Sequence, residues 1–264
     1  MKQTIPFIAL LSFFSATTAS FAAEKTAAER GREVAQKAKD QDIDYGDMTA
    51  DMSMTLTNRH GQKSTRAIRS RNLEVKGDGD KLMSIFDTPR DVKGTAFLSF
   101  THREGADDQW LYLPALKRVK RITTNNKSGP FMGSEFAYED LLSQEVEKFT
   151  YKYIKEETIN GRKAHVVERY PVYDRSGYTR QVGWYDAEHN YLHKVDFYDR
   201  RDELLKTLTY IDQKAYLDRY YRPDQMRMKN HKTGKETLLI WTNYKFRTGL
   251  TERDFDQNAL KRVR

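Results

Sequence analysis

The spacing of apolar and polar positions changes twice along this chain, and each change predicts a different kind of element. Residues 7–14 (FIALLSFF) form an unbroken apolar run behind Lys2. In residues 24–40 (EKTAAERGREVAQKAKD), Ala27, Ala28, Val34, Ala35 and Ala38 fall at helical spacing without a proline, so a helix is expected. Its apolar stripe is thin, and such a helix needs a surface to pack on. After a loop at 44–47 the period becomes two: Met52, Met54 and Leu56 alternate with Asp51, Ser53 and Thr55, as a half-buried strand does.

That rhythm then repeats. Short β-branched or aromatic runs at 64–75, 81–87, 94–101, 109–113 and 119–123 are separated by turn residues. After a break at 125–142 the pattern resumes at 149–156, 163–171, 179–186, 192–199 and 204–211, with further candidates at 225–230 and 236–247. This predicts about eleven strands or slightly more. Many are joined by tight turns such as Asn160-Gly161 and Thr233-Gly234, so successive strands are antiparallel neighbours. A meander this long must curl or be covered, and only two or three helical stretches are available for covering. The expected fold is mainly β: one strongly curved antiparallel sheet with helices against its concave face.

Composition adds compartment and partners. The run at 7–14 is too short to span a bilayer, and small residues at Ser20 and Ala22 satisfy the spacing of a cleavage site. Residues 1–22 are therefore expected to be an export leader, leaving 23–264 as a single domain in the periplasm of a Gram-negative cell. No cysteine is present, so neither disulfides nor a lipid-modified N-terminal cysteine enters the picture. A formal net charge of +8 on an exported protein points to anionic membrane surfaces or an acidic partner rather than to nucleic acid, or simply to a well-solvated surface. A monomer is expected.

Catalytic constellations are weak. The chain has no cysteine nucleophile, no Gly-x-Ser-x-Gly elbow, no phosphate-binding Gly-x-x-x-x-Gly-Lys and no His-Glu-x-x-His helix. His189 and His193 flank a predicted turn and read as ordinary polar residues, so no metal, no cofactor and no enzymatic activity are expected.

The most distinctive stretch is 89–142. It contains PRDVKGTAFLSF (89–100), DDQWLYLPALKRVKRI (107–122) and GPFMGSEFAYEDL (129–141). These blocks resemble the outer-membrane lipoprotein-sorting family, relatives of the periplasmic carrier LolA and its receptor LolB. WYDAEHNYLHKVDFYDRRDELLKTLTY (184–210) is similar to the family's repeated hairpin, and Thr251 with Asp254 fits a capping pair before a short C-terminal helix. The resemblance implies an incomplete antiparallel β-barrel with helices in its mouth and a hydrophobic cavity that shields acyl chains. It implies a non-enzymatic carrier of lipids or lipoproteins between the inner and outer membranes, with an inner-membrane transporter as partner and transient membrane contact. The chain's long middle segment and basic character depart from the smaller, dedicated lipoprotein carrier, and the sequence resembles more closely the larger members of the broader family, which are similar to accessory partners of RND-type exporters. The alternative is a periplasmic sensor that binds a protein partner in response to a lipid signal.

Adaptable apolar side chains suit such a cavity, which nominates Met52, Met54, Leu56, Met83, Ile85, Phe97, Trp110, Tyr112, Val195 and Phe197 as lining. Strand periodicity alone equally allows them to fill an ordinary core. In the loop at 129–134, Phe131 and Met132 are lid candidates, or two apolar residues tucked into the core, and Ser134 is placed to cap a helix opening at Glu135. Lys117, Arg118, Lys120 and Arg121 form a basic run that could meet lipid headgroups or an acidic partner, or protect a strand edge.

Overall fold

The computed structural model describes Met1 and residues 24–262, so the expected leader lies outside the described residues apart from Met1. The first helix, α1 (Ala27–Gln41), begins at a capping box: Thr26 Oγ1 accepts from the Glu29 amide at 3.2 Å, and Glu29 Oε2 accepts from the Thr26 amide at 2.8 Å.

Thirteen strands follow: β1 (Asp47–Thr57), β2 (Lys63–Leu73), β3 (Lys81–Thr88), β4 (Ala96–Phe100), β5 (Asp108–Leu113), β6 (Arg118–Arg121), β7 (Phe149–Ile159), β8 (Arg162–Pro171), β9 (Tyr178–Asp186), β10 (Leu192–Asp199), β11 (Leu204–Tyr216), β12 (Tyr220–Asn230) and β13 (Glu236–Phe246). A four-residue helix, α2 (Ala259–Arg262), closes the described chain. All strands join one open antiparallel sheet in the order β6-β5-β4-β3-β2-β1-β13-β12-β11-β10-β9-β8-β7. Two meanders, β1 to β6 and β7 to β13, are fused where β1 pairs with β13.

The mainly β, curved, antiparallel fold expected from the sequence is the one observed, with thirteen strands in place of about eleven. The longest shortfall lies in the hairpin of β11 and β12. Asp212 sits at φ 54° and interrupts the alternation, and Pro223, a residue that argues against an interior strand, is paired there with Gln213.

The sheet must curl strongly. Leu82 on β3 and Tyr151 on β7 line the same cavity although nine strand spacings separate β3 from β7. In a flat sheet they would stand about 43 Å apart, at about 4.8 Å per spacing. The side facing this cavity is the inner face. Helix α1 covers it over β7 and β8, where Gly31 permits close approach: a Cβ there would meet the Tyr153 backbone nitrogen at 2.8 Å. The C-terminal elements instead cover the outer face, with Phe255 and Leu260 packed on Met83, Ile85, Ala96, Leu98 and Trp110.

The link from β6 to β7 joins opposite edges of the sheet, so it has to cross the inner face. Residues 122–148 do so as a string of 3-10 turns, including Phe131–Gly133, Tyr138–Leu141 and Val146–Lys148. No α-helix opens at Glu135: Ser134 is extended, at φ −78° and ψ 172°, and its hydroxyl accepts from the Phe136 amide at 3.3 Å instead of capping a helix. The short C-terminal capping box at Thr251 and Asp254 is present.

Polar side chains staple this crossing segment to the sheet. Asp140 pairs with Lys206 at 2.6 Å, both nearly fully buried, and accepts from the Tyr178 hydroxyl at 2.8 Å. Glu139 accepts from the Gly177 amide at 2.8 Å, the Ser176 hydroxyl at 2.9 Å and the Tyr173 hydroxyl at 3.1 Å. Burial and the neighbouring Asp140 push its carboxyl above the usual range, against those hydrogen bonds.

Candidate functional site

Phe131 divides the inner face. Its ring is fully buried, with centroids 5.1 Å from Phe97, 5.9 Å from Phe86 and 5.6 Å from Tyr138. Met52, Met54, Val195 and Phe197 belong to the same apolar cluster, with Leu56 and Met132 packed against it. On this side the inner face is filled.

Beyond the plug the inner face is hollow. A cavity of about 660 Å³ lies between the sheet, the C-terminal half of α1 and the crossing segment. Ala35, Ala38 and Lys39 face it from α1, Leu141, Leu142 and Val146 from the crossing segment, and Tyr151, Arg169, Tyr185, Tyr210, Met226 and Trp241 from the sheet. The register explains the grouping: Tyr151, Arg169 and Gln181 stand side by side across β7, β8 and β9, and Tyr210 faces Met226 across β11 and β12. Gly183 makes room for the Tyr185 ring, since a Cβ there would meet Tyr185 Cε2 at 2.8 Å and Leu192 Cδ2 at 3.1 Å.

One region of the wall is rich in charge. Lys39 pairs with Glu145 at 2.8 Å, Arg222 with Asp42 at 2.5 Å, and the Tyr45 hydroxyl donates to Asp80 at 3.0 Å. Burial pushes the Asp80 carboxyl up to about 6, against the opposing pull of Lys39 and the Tyr45 hydroxyl. These contacts tie α1 to the crossing segment, and the loop after α1 to β12 and to the residue just before β3.

The opposite character holds around Arg169. It is 5% exposed, its hydrogen bonds run to the neutral Gln181 Oε1 at 2.8 and 2.5 Å, and its guanidinium lies 4.7 Å from the Phe149 ring centroid. Two buried polar atoms on the cavity wall, Gln213 Oε1 and Trp241 Nε1, have no hydrogen-bond partner.

None of the ten apolar residues nominated from the sequence lines this cavity. Met52, Met54, Leu56, Phe97, Val195 and Phe197 lie on the filled part of the inner face. Met83, Ile85, Trp110 and Tyr112 lie on the outer face, because strand alternation sends them away from Leu82, Phe86, Leu111 and Leu113. Of the lid candidates, Phe131 is buried in the plug and Met132 packs beside it at φ 49°. The basic run forms edge strand β6 and the turn before it. Lys117, Arg118 and Lys120 are exposed without a salt bridge among the described residues, and Arg121 pairs with Asp108.

Sequence reasoning overlooked Arg169, Tyr185, Tyr210, Gln213 and Trp241. A signal for Arg169 was present: it shares a strand face with the apolar Val167, and a charge on the apolar side of a strand is unusual. Among the described residues, no group of three His, Asp or Glu side chains is arranged to hold a metal ion, and no helix is long and apolar enough to cross a membrane. His189 instead stacks on Tyr221 at 4.8 Å, and His193 bonds Asp186 at 3.0 Å.

Known proteins agree with this architecture. A family model described only as that of an uncharacterized protein matches residues 78–262. A domain of Vibrio parahaemolyticus, provisionally described as an outer membrane lipoprotein-sorting protein, is 56% identical over 89% of this chain and 99% of its own, with a TM-score of 0.87. A DUF1329 family protein of Desulfovibrio piger is 28% identical over 89% of this chain and 100% of its own, with a TM-score of 0.85. A LolA superfamily protein of Nitrosomonas europaea shares the fold at 18% identity and a TM-score of 0.69, over 89% of this chain and 100% of its own. No curated protein matches. A plugged half-barrel with a hollow beside the plug, the fold of the LolA superfamily, and a relative alike over nearly its whole length lead to one assignment: the chain belongs to the outer-membrane lipoprotein-sorting family.

Proposed function

We propose that this protein is a non-enzymatic periplasmic carrier that receives a lipid or another hydrophobic molecule from an inner-membrane exporter of the RND type and holds it during transit to the outer membrane. In this reading residues 1–22 are removed on export, and 23–264 act as one unit.

The observation that carries the reading is the cavity of about 660 Å³ enclosed between α1, the crossing segment and the curled sheet. It falls within the range of about 300–1,000 Å³ typical of small-ligand sites, and its wall combines apolar side chains such as Leu141, Val146, Leu192 and Met226 with the charged region around Lys39, Asp42 and Asp80. Family membership and the description of the Vibrio relative support the same cargo class. The six sequence-nominated residues of the filled inner face would become lining if the Phe131–Met132 loop withdrew, which assigns that loop the part of an internal gate. The unpaired Arg118 and Lys120 on β6 and Lys117 in the turn before it are suited to anionic headgroups during membrane contact.

Native mass spectrometry of the mature protein purified gently from periplasm, followed by organic extraction, tests the proposal. A stoichiometric co-purifying lipid is the expected result. A protein that emerges empty and refuses added lipids would shift the assignment to a sensor or protein-interaction module.

A further inference from the structure

Three buried cations stand out among the described residues, and they are not treated alike. Lys148 pairs with Asp107 and Lys206 with Asp140, so each meets a carboxylate. Arg169 meets none: its hydrogen bonds end on the neutral Gln181, and the ring beneath it is Phe149. A buried charge without a counter-charge is costly, and a protein that keeps one at a cavity wall gains when a ligand supplies the opposite charge.

Other groups on the wall of the same cavity share this deficit. The Tyr185 and Tyr210 hydroxyls line the cavity and bond to no described residue, and Trp241 Nε1 is buried with an N–H and no acceptor. With the guanidinium N–H groups that Gln181 does not receive, that makes a set of donors on one cavity with bonding capacity to spare. Gln213 Oε1 is the complementary case, an acceptor without a donor. Around them Leu141, Val146, Leu192 and Met226 supply apolar surface for a chain.

We infer that the Arg169 region of the cavity is a headgroup subsite for an amphiphile whose head is a carboxylate or a phosphate, with the tail lying along the apolar wall. Arg169 receives the anionic oxygens, the tyrosines and Trp241 donate to the remaining lone pairs, and Gln213 accepts from a hydroxyl or a protonated head oxygen. The inference rests on the carrier reading and deepens it, since it selects the cargo by charge.

Isothermal titration of the full mature chain with laurate, dodecyl phosphate, the uncharged dodecanol and inorganic phosphate tests it. The two anionic amphiphiles should bind at least about tenfold more tightly than dodecanol, the scale of a charge-assisted hydrogen-bond set. Arg169→Gln should remove that preference, bringing laurate and dodecyl phosphate to within about threefold of dodecanol. Trp241→Phe provides a second variant should the first fail to fold, with an expected loss of about threefold for the anions. Equal binding of dodecanol and the anions by the wild-type chain, or an unchanged preference in the variants, would overturn the headgroup subsite while leaving the carrier reading intact. Tight binding of inorganic phosphate alone would show a free-anion site and also overturn it. Refusal of every amphiphile would remove the carrier reading and this inference with it.

Discussion

The two regions of the inner face are made of similar strands and finished differently. At the plug the crossing segment inserts Phe131 and Tyr138 against Phe86 and Phe97, with Met54, Val195 and Phe197 completing a buried core. Toward the C-terminal half of α1 the same segment has moved to the side, α1 contributes the small Ala35 and Ala38 beside Lys39, and space is left over between them and Tyr151, Tyr210 and Leu82. Polar groups follow the same division. Asp140 and Lys206 beside the plug are satisfied as a pair, as is the charged part of the hollow's wall at Lys39 and Glu145, whereas Arg169, Tyr210, Trp241 and Gln213 keep unused bonding capacity. A region that has used its interactions serves stability, and one that has kept them is poised for a ligand.

The largest expected effect tests the filled region. Asp140→Leu leaves Lys206 buried without a counter-charge and strips the Tyr178 hydroxyl of its acceptor. A loss of about 3–5 kcal/mol is expected in chemical denaturation, and the double variant with Lys206→Met should recover most of it. A double variant no better than the single one would mean that the pair does not act as a unit.

Next comes the plug itself. Phe131→Ala should cost about 3 kcal/mol, the lower end for a buried aromatic, because Met132 and Tyr138 can partly close on the space. The same change should enlarge the hollow toward Met52, Met54 and Phe97 and raise the capacity for long-chain lipid. A stability loss without any change in uptake would separate the loop from cargo handling.

How much of this division was legible in the sequence can be judged from individual positions. Alternation located nearly every strand, because Met52, Met54 and Leu56 or Val195 and Phe197 carry the period-two signal in their own side chains. It could not tell which face was inner: Met83 and Ile85 alternate as cleanly as Leu82 and Phe86, and only the placement of Phe255 and Leu260 makes theirs the outer face. Nor could it show that residues 122–148 cross the interior, which follows from the order of strands rather than from any local pattern. The hollow is a statement about which side chains fail to meet, and Arg169 and Trp241 line it from strands far apart in sequence.

The charged part of the cavity wall gives a pH-dependent effect. Burial raises the folded-state carboxyl of Asp80 to about 6, above an unfolded value of about 4. Its contribution to stability is therefore complete below about pH 4 and is lost as pH rises through about 6, an amount of about 2–3 kcal/mol. Asp80→Asn can still accept from the Tyr45 hydroxyl, and it should flatten this part of the stability profile between pH 4 and pH 7. Superimposable profiles for the two proteins would show that Asp80 stays in contact with water in the folded chain.

The smallest stability effect is the most informative about the hollow. Arg169→Met replaces a buried cation that has no carboxylate partner with an apolar side chain of similar length, on a strand face that already holds Val167. Removing an uncompensated charge relieves desolvation, while the lost bonds to Gln181 and the packing over Phe149 act the other way. The two oppose each other, so the net change should stay within about 1 kcal/mol of zero and could stabilise the empty protein. A loss as large as that of Asp140→Leu would place Arg169 among the interactions that hold the fold and erase the distinction between the two regions. A neutral change would mean that the fold has no need of this cation, which leaves ligand binding as the reason to bury it.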